Sequence, residues 1–391
     1  MREAYIVAGF RTAVAKAKKG GFRFYRPDDL AANVIKHLLK SVPELDPKKV
    51  DDLIVGNAFP EAEQGLQVGR MIALQCLPQE VPGVTINRFC ASGIDTISTA
   101  VARIRAGMMD CVIAGGTESM SMIPMTGWKL AANYETVKEN PGNYMGMGLT
   151  AEKVAVDYKI SREDQDEFSY NSHMKALNAL KEGYFKDQIV PIQVKEVYLE
   201  NGKRKTKNNI VEVDEGPRAD TTIEALAKLK PVFAVNGTVT AGNSSQTSDG
   251  ASFVLVMSEE MVKELNLTPI ARLVSYALEG VDPTLMGTGP IAAVPKALKK
   301  ANMKLDDIDL IELNEAFASQ SLAVIRTLGM DMEKINVNGG AIALGHPLGC
   351  TGAKLTVQIL NELKRKNKKY GIVTACVGGG QGVAGIYELL N

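Results

Sequence analysis

The sequence predicts a layered α/β protein made of two similar halves with a further unit inserted between them. Short apolar runs of strand length alternate with segments that have the helical spacing of about 3.6 residues, which is the pattern of a layered α/β fold. The pattern repeats late in the chain, and a methionine-rich stretch separates the two copies. At about 150 residues per domain, a chain of 391 residues has room for two or three units.

Each copy of the repeat begins with a helix, followed by a buried strand and a loop that opens on asparagine. Residues 28–41 have helical spacing and lead to the run DLIVGNAF at 52–59. Residues 291–302 have the same spacing and lead to DLIELNEAF at 309–317. We therefore expect two halves packed around a pseudo-twofold axis, as gene duplication produces, rather than a solenoid array.

The second part of each copy places a strand-like run before a candidate catalytic residue, then a helix, then a strand that ends in glycines. In the first copy these are 84–87, Cys90, a helix to Arg105 and a strand at 111–114. In the second they are 335–338, His346, a helix near 352–366 and a strand at 372–376. The order of elements is the same in both copies, which supports the duplication.

The predicted domains are an N-terminal half at 1–117, an inserted loop domain at 118–248 and a C-terminal half at 249–391. The insertion has helical spacing near 149–158 and 162–182, and Ser161 with Asp164 forms a capping-box pattern. Asn201-Gly202 predicts a hairpin turn. Its basic neighbours are expected to form a solvated tip rather than a ligand site.

Composition excludes several classes of protein. Lys+Arg and Asp+Glu are both 45, so the formal net charge is zero, whereas nucleic-acid-binding domains usually carry a basic excess. No apolar run reaches about 18 residues, so we expect no membrane span. The strand-like run at 5–8 leaves no room for a signal peptide. The five cysteines show no CxxC spacing and the three histidines lie far apart, which predicts free thiols and no metal site.

The run Asn-Arg-Phe-Cys-Ala-Ser-Gly places Cys90 between a strand and the start of a helix. The positive end of the helix dipole lowers the pKa of a nearby thiol from its usual value of about 8.5, which favours a thiolate nucleophile at neutral pH. The alternative is a buried core thiol, which is the usual fate of a lone cysteine.

His346 lies in a loop rich in glycine, where the backbone can approach a ligand closely and the imidazole can take a thiol proton. The alternative is a structural turn. Cys376 precedes the glycine-rich run 378–382, but a strand rather than a helix follows, which excludes a dinucleotide-binding loop. A tight hairpin that exposes Cys376 fits better, with an inert thiol as the alternative. Asn314, at a strand end, can hold a water, donate to a developing oxyanion or cap a turn.

Together and in this order, these motifs resemble the thiolase family. They are Asn-Arg-x-Cys-x-Ser-Gly, Gly-Gly-x-Glu-Ser-Met, Ala-Gly-Asn-Ser-Ser, Asn-Glu-Ala-Phe, Gly-His-Pro-x-Gly and Cys-x-Gly-Gly-Gly, and they span nearly the whole chain. The resemblance implies an α/β thiolase fold, in which two βαβαβαββ-type halves form five layers, α/β/α/β/α, and carry the inserted loop domain.

The resemblance also implies a role for each candidate. Cys90 looks like the acylated nucleophile, His346 like the group that activates it, and Cys376 like the second acid/base. Asn314, through a held water, resembles one part of an oxyanion hole for the acetyl-CoA enolate, with His346 as the other part. The backbone N–H groups of Cys90 and Gly378 resemble a second oxyanion hole, for the tetrahedral acyl intermediate.

The implied reaction is coenzyme-A-dependent thiolysis of a 3-ketoacyl-CoA to acetyl-CoA and a shortened acyl-CoA, together with the reverse condensation. Coenzyme A is a substrate, no tightly bound cofactor is expected, and Ser245 and Arg218 align with positions that contact coenzyme A in relatives. The relatives are dimers or tetramers, so a homo-oligomer is expected, with possible association with other β-oxidation enzymes. The expected location is the cytoplasm of a prokaryote.

Other functions on the same fold remain as alternatives. Arg88 and the run 244–250 resemble degradative thiolases of broad chain length, and Gly146 stands where many acetoacetyl-specific relatives have histidine. A short-chain acetyl-CoA acetyltransferase is the first alternative, and a non-catalytic acyl-CoA-binding protein is the second. A ketoacyl synthase would lack a second cysteine such as Cys376, and a cysteine hydrolase would not show this order of motifs.

Overall fold

A computed structural model describes residues 2–390 of the chain. Its strands are β1 (Ala4–Arg11), β2 (Ala15–Lys16), β3 (Asp52–Gly56), β4 (Gly83–Ile86), β5 (Cys111–Ser119), β6 (Ile192–Glu200), β7 (Lys203–Val211), β8 (Ser248–Ser258), β9 (Ala271–Gly280), β10 (Leu310–Leu313), β11 (Tyr370–Val377) and β12 (Gln381–Leu389). Its helices are α1 (Pro27–Lys40), α2 (Val68–Cys76), α3 (Ser92–Arg105), α4 (Tyr134–Glu139), α5 (Met147–Asp157), α6 (Arg162–Lys181), α7 (Ile223–Ala227), α8 (Glu259–Glu264), α9 (Gly289–Ala301), α10 (Ala318–Leu328), α11 (Ala341–Leu344) and α12 (Leu348–Lys366).

Counted outward from the junction of the two halves, the strands follow the same order in each. The N-terminal order is β1-β8-β5-β3-β4, and the C-terminal order is β9-β12-β11-β10. The two sets meet where β1 pairs with β9 at Ile6 and Ala271, so the strands form one continuous ladder. The expected duplication is therefore visible in the topology, since β1, β8, β5 and β3 correspond to β9, β12, β11 and β10.

Three apolar clusters define the layers. The first packs α1 and α2 on the N-terminal strands, and the third packs α9 and α10 on the C-terminal strands. The second lies between the two sets of strands and contains the apolar faces of α3 and α12. Helices therefore lie outside each set of strands and between them, which confirms the α/β/α/β/α arrangement. The strands of this core read as continuous apolar runs because both of their faces are covered.

Several predicted elements extend differently in the structure. The strand expected at 111–114 continues to Ser119 as β5, through Gly115 and Gly116. The run 335–338 forms no strand, and only an isolated bridge joins Ile335 to Ile311. The two halves thus differ at this edge, where the N-terminal half has β4.

The division that we placed between residues 248 and 249 falls after the first residue of β8. β8 pairs with every residue of β5 and also with β1, so it belongs to the sheet of the N-terminal half. The inserted segment returns the chain to the sheet that it left at the end of β5. The N-terminal half therefore includes strands from both sides of the insertion, and the division into domains stays a prediction.

The inserted segment contains the predicted helices and hairpin. α6 begins after Ser161, whose side chain accepts from the backbone N–H of Asp164 in the expected capping box. β6 and β7 pair on either side of Asn201 and Gly202. The basic side chains of the hairpin are exposed, and Lys205 forms an ion pair with Glu200 within the hairpin itself. This agrees with a solvated tip.

Candidate active site

Cys90 lies in a short 3₁₀ turn, Phe89–Ala91, between the end of β4 and the first residue of α3. Phe89 has φ of 39°, in the left-handed region that a non-glycine residue rarely adopts. The Ser92 hydroxyl fixes this turn, because it accepts from the N–H of Arg88 and donates to the carbonyl of Phe89, both at 2.8 Å. Such backbone strain concentrates at functional sites.

Two glycines let the helix that follows Cys90 approach α12 closely. A Cβ at Gly93 would lie 2.4 Å from the backbone nitrogen of Ala353, and one at Gly352 would lie 2.3 Å from that of Ile94. No side chain fits there. This contact brings the start of α3, with Cys90, against the start of α12, which the His346 loop enters.

The Cys90 thiol is buried, and burial raises its pKa to about 12. The backbone N–H groups of Gly378 and of Cys90 itself reach the sulfur and oppose that rise, while the carboxylate of Glu118 adds to it. Our expectation of a thiolate at neutral pH was therefore wrong for the free protein. The helix terminus lowers a thiol pKa, but desolvation of the anion is the larger effect here.

His346 has a defined tautomer. Its Nδ1 lies 2.6 Å from the hydroxyl oxygen of Thr351, and that hydroxyl donates its one proton to the carbonyl of Pro347 at 3.0 Å. We assign the imidazole proton to Nδ1, which donates it to Thr351, because this arrangement satisfies Nδ1, the hydroxyl and the carbonyl together. Nε2 is then the basic nitrogen of the ring, and its lone pair accepts from the side-chain amide of Asn314. Nε2 lies 3.3 Å from the amide nitrogen of Asn314.

Burial also keeps the imidazole of His346 neutral. Desolvation, with a smaller contribution from the Lys354 ammonium, lowers its pKa to about 3. A neutral imidazole with a basic Nε2 is a proton acceptor at physiological pH. Thr351 thus orients the group, a role that sequence analysis missed although Thr351 follows His346 by five residues.

Asn314 is fully buried at the end of β10, where its backbone N–H donates to the carbonyl of Thr374 at 2.9 Å. Its side-chain nitrogen points to His346. Among the described residues, its side-chain oxygen has no hydrogen-bond partner. A buried amide oxygen without a partner is costly, so Asn314 is suited to hold a polar group of a ligand or a water beside the imidazole.

Cys376 lies at the end of β11 and is fully buried. We expected the hairpin to expose this thiol to solvent, and it does not. Burial raises the pKa of its thiol well above its ordinary value, and the neighbouring Cys90 raises it further. The turn after it contains Gly378, Gly379 and Gly380, of which the last two have φ of 82° and 80°. These two conformations favour glycine.

Glu118 is a second residue that sequence analysis did not single out, although it lies in the quoted Gly-Gly-x-Glu-Ser-Met motif. Its buried carboxylate accepts from the N–H groups of Ala58 and Gly349 and from the Gln64 side chain, each at 2.8 Å. It therefore ties the loop after β3 to the start of α12. This fixes the loop that carries His346.

One cavity of about 130 Å³ joins these groups. It is lined by Cys90, Met120, Met125, Met147, Phe233, Ser244, Ser245, Gln246, Thr247, Met286, Ala316, Phe317, His346, Leu348 and Cys376. The two thiols and the imidazole thus face a space whose walls include four methionine and two phenylalanine side chains beside the polar run 244–247. Such walls adapt to apolar ligands of different shape.

The two residues aligned with coenzyme A contacts lie in different surroundings. Ser245 lines the cavity, and its backbone N–H donates to the carbonyl of Ala316 at 2.9 Å. Arg218 does not line it. Its side chain is 61% exposed and lies 3.5 Å from the carboxylate of Asp220. The structure therefore brings Ser245, but not Arg218, to the thiols.

Residues 2–390 contain neither a side-chain cluster suited to a metal ion nor a membrane-spanning helix. No group of three or more His, Cys, Asp and Glu side chains could hold a metal ion there. Within the same residues, no helix combines the length and the apolar character needed to cross a membrane.

Two family models match the chain. The thiolase N-terminal domain matches residues 4–260, and the thiolase C-terminal domain matches residues 267–389. A protein of Bacillus subtilis (strain 168) named 3-ketoacyl-CoA thiolase is 53% identical over 391 residues, which is 100% of both chains. The Arabidopsis thaliana protein named 3-ketoacyl-CoA thiolase 1, peroxisomal, is 44% identical over 99% of this chain and 87% of its own.

Two solved structures share the whole fold. The acetyl-CoA acetyltransferase of Bacillus anthracis superposes with a TM-score of 0.90 at 42% identity, over 100% of this chain and 99% of its own. The human mitochondrial 3-ketoacyl-CoA thiolase superposes with a TM-score of 0.88 at 40% identity, with the same coverage of each chain.

Proposed function

The chain belongs to the thiolase family, and from that premise we propose that it catalyses the coenzyme-A-dependent thiolysis of 3-ketoacyl-CoA through an acyl-Cys90 intermediate. The observation that carries this proposal is one cavity that contains two thiols and a neutral imidazole, with the Gly378 N–H at the first thiol. A Claisen-type cleavage needs a nucleophile, a proton acceptor, a separate acid/base and oxyanion donors. Each has a candidate here.

In the first step, the Cys90 thiol gives its proton to Nε2 of His346 as its sulfur attacks the C3 carbonyl carbon. The high thiol pKa fits this order, because the proton leaves during attack rather than before it. The new tetrahedral oxyanion is placed to accept from the N–H groups of Cys90 and Gly378. Losing one such donor typically raises a barrier by about 3 kcal/mol.

In the second step, the C2–C3 bond breaks and its electron pair forms the enolate of acetyl-CoA. The C3 carbonyl re-forms as a thioester on Cys90. Asn314 and the imidazolium of His346 are proposed to stabilise the enolate oxygen, and the unpaired amide oxygen of Asn314 supports a bridging water there. The enolate carbon takes the proton of Cys376 and becomes acetyl-CoA, which leaves the site. Cys376 remains as a thiolate.

In the third step, that Cys376 thiolate accepts the proton of incoming coenzyme A. The coenzyme A sulfur attacks the thioester, the shortened acyl-CoA leaves, and Cys90 recovers its proton from His346. Both cysteines and the imidazole return to their starting states, so the cycle balances without a redox cofactor. We propose that Ser245, on the cavity wall, contacts the pantetheine arm and that Arg218, outside it, serves the distant adenine end.

The range of acyl lengths separates this proposal from a strict acetoacetyl-CoA specificity. Gly146 is exposed and a Cβ there would meet nothing within 4 Å, and the next residue, Met147, lines the cavity. Met120, Met125 and Met286 line the same cavity. These features support a degradative enzyme with broad chain length. The short-chain acetyltransferase is the second candidate, favoured by the similarity to the Bacillus anthracis structure.

We also propose a cytoplasmic homo-oligomer, a dimer or tetramer, that works beside other β-oxidation enzymes. The five cysteines are free thiols, which supports a reducing compartment. Light scattering of the purified protein tests the oligomeric state, because a monomeric mass at micromolar concentration would contradict it.

The experiment for the function is the rate of coenzyme-A-dependent loss of 3-ketoacyl-CoA over a series of acyl lengths. Activity on long chains supports the broad-range enzyme. Activity confined to acetoacetyl-CoA would move the assignment to the short-chain acetyltransferase. Binding of acyl-CoA without turnover would favour the non-catalytic alternative.

A further inference from the structure

Arg88 connects the two loops that supply the oxyanion-hole donors. It lies two residues before Cys90, and its side chain is 29% exposed. Its Nη1 donates to the side-chain oxygen of Gln381 at 2.9 Å. Gln381 begins β12, three residues after Gly378, so a single hydrogen bond spans from the nucleophile loop of one half to the glycine turn of the other.

The guanidinium of Arg88 also binds a second partner, through its Nε. Its Nε donates to the carboxylate of Asp95, in the first turn of α3, at 2.7 Å. The other oxygen of Asp95 accepts from the hydroxyl of Tyr276, on β9, at 2.5 Å. Arg88, Asp95, Tyr276 and Gln381 thus form one chain of charge-assisted hydrogen bonds across the junction of the halves. Such bonds are short and strong compared with neutral ones.

The turn that this chain of hydrogen bonds reaches is also held by its own backbone, because Val377 pairs with Gln381 and the Gly380 N–H donates to the carbonyl of Val377 at 3.2 Å. Side-chain packing at its tip is sparse, since a Cβ at Gly379 would meet nothing within 4 Å and one at Gly378 would meet the ring of Phe89 at 3.4 Å and the sulfur of Met147 at 3.9 Å. The backbone restrains its far end, where Val281 donates to Gly380 at 2.8 Å. Three successive glycines also lose much conformational freedom on folding, and the Gln381 side chain adds a restraint that these backbone bonds do not give, because it ties the turn to the nucleophile loop.

We propose that Arg88 is a positioning residue, which sets the Gly378 N–H against the Cys90 sulfur by clamping the Gly378 turn through Gln381. This inference rests on the proposed function, in which that N–H and the N–H of Cys90 bind the oxyanion. Arginine rather than lysine suits the position, since only a planar fork can reach Asp95 and Gln381 together. Misplacing a donor by about 1 Å can cost roughly 10²-fold in rate.

The test uses Gln381→Met, Arg88→Lys and the double variant. We expect each single variant to lose roughly 10- to 100-fold in kcat, with KM little changed, because the oxyanion forms only during reaction. The double variant should be no worse than the poorer single one, because both remove the same bond. Gln381→Glu keeps an acceptor for Arg88 and should recover most of the loss. Arg326→Met, which removes an ion pair with Asp164 away from the cavity, is the matched control.

Alkylation of Cys90 with iodoacetamide, which forms no oxyanion, distinguishes a loss of oxyanion-donor positioning from a general loss of structure around Cys90. Its rate should fall far less than kcat in Gln381→Met, because the Gly378 N–H meets a full negative oxygen charge only in the oxyanion; a fall equal to that of kcat would overturn the proposal. Wild-type kcat in Gln381→Met, or losses that add in the double variant, would overturn it too.

Hydrogen exchange of the Gly378 turn decides the matter independently of thiolysis. The proposal predicts faster exchange of the amides at 376–382 in Gln381→Met than in Arg326→Met. Unchanged exchange there would refute the clamp. If the wild-type chain cleaved no 3-ketoacyl-CoA while exchange rose as expected, the proposed function would fail and the clamp would stand.

Discussion

Replacing Thr351 by valine removes the partner of the His346 Nδ1 proton while keeping nearly the same buried volume. Thr351 is fully buried, and its hydroxyl oxygen lies 2.6 Å from Nδ1. In the variant, Nδ1–H is left without a partner, which costs about 1–3 kcal/mol in a buried site. The alternative tautomer moves the proton to Nε2, where it blocks the base.

Either response slows the first step. At about 1.4 kcal/mol per factor of ten in rate, the cost corresponds to a fall in kcat of roughly 5- to 150-fold. The assay is thiolysis of a 3-ketoacyl-CoA at saturating coenzyme A, with KM measured in the same series. Thr351→Ser is the matched control, because it keeps the hydroxyl and loses one methyl group, and it should retain most of the activity.

Two results would refute this reasoning. Wild-type kcat in Thr351→Val would mean that the hydroxyl does not fix the tautomer. An equal loss in Thr351→Ser would mean that packing around the methyl group, rather than the hydrogen bond, supports the imidazole. Thermal unfolding of both variants shows whether either has simply lost its fold.

The remaining predictions concern pH, the second cysteine, chain length and the buried core. The pKa of His346 is about 3 in the folded chain, below its ordinary value of 6.5, so its contribution to stability is present above pH 6.5 and is lost as pH falls towards 3. The pH profile of thiolysis should therefore show no fall in rate from a group that titrates near pH 6.5. Such a fall would contradict a neutral buried base. Cys376→Ala should slow carbon–carbon cleavage far more than acylation of the enzyme by a simple acyl-CoA, whereas equal losses would argue against a separate acid/base. Gly146→His places an imidazole next to Met147, which lines the cavity, and should lower kcat/KM for long chains more than for acetoacetyl-CoA; an unchanged profile would show that this position does not set length. Asp214→Ala should lower the free energy of unfolding by about 3–5 kcal/mol in denaturant titrations, because it leaves the fully buried Arg11 guanidinium without its carboxylate; a change under about 1 kcal/mol would show that water reaches the charge.

The repeat in the sequence was sufficient to predict two similar α/β halves, because each half keeps its own order of strands and helices, whereas the five layers were predicted from the resemblance to the thiolase family. It could not assign β8, since a strand that returns after a long insertion carries no local signal of which sheet it joins. The run 335–338 shows the opposite limit. It has the apolar pattern of a strand, but in the structure only Ile335 makes a bridge at the sheet edge.

The sequence motifs identified the two thiols, the imidazole and Ser245, which the structure brings to one cavity. The ionisation of Cys90 was not predictable in this way. The helix start is visible in the sequence, whereas the burial that outweighs it depends on residues from both halves. Glu118 and Arg88 lie inside quoted motifs, but their partners lie far along the chain, so only the folded structure reveals what they hold.

The most direct test of the account is the mass of the protein after reaction with a 3-ketoacyl-CoA in the absence of free coenzyme A. The account predicts one equivalent of acetyl-CoA released and one shortened acyl group retained, and peptide mapping should place that group on Cys90. The Cys90→Ala variant should retain none and release no acetyl-CoA. An acyl group on Cys376 or Cys350, or turnover by the Cys90→Ala variant, would contradict the central claim.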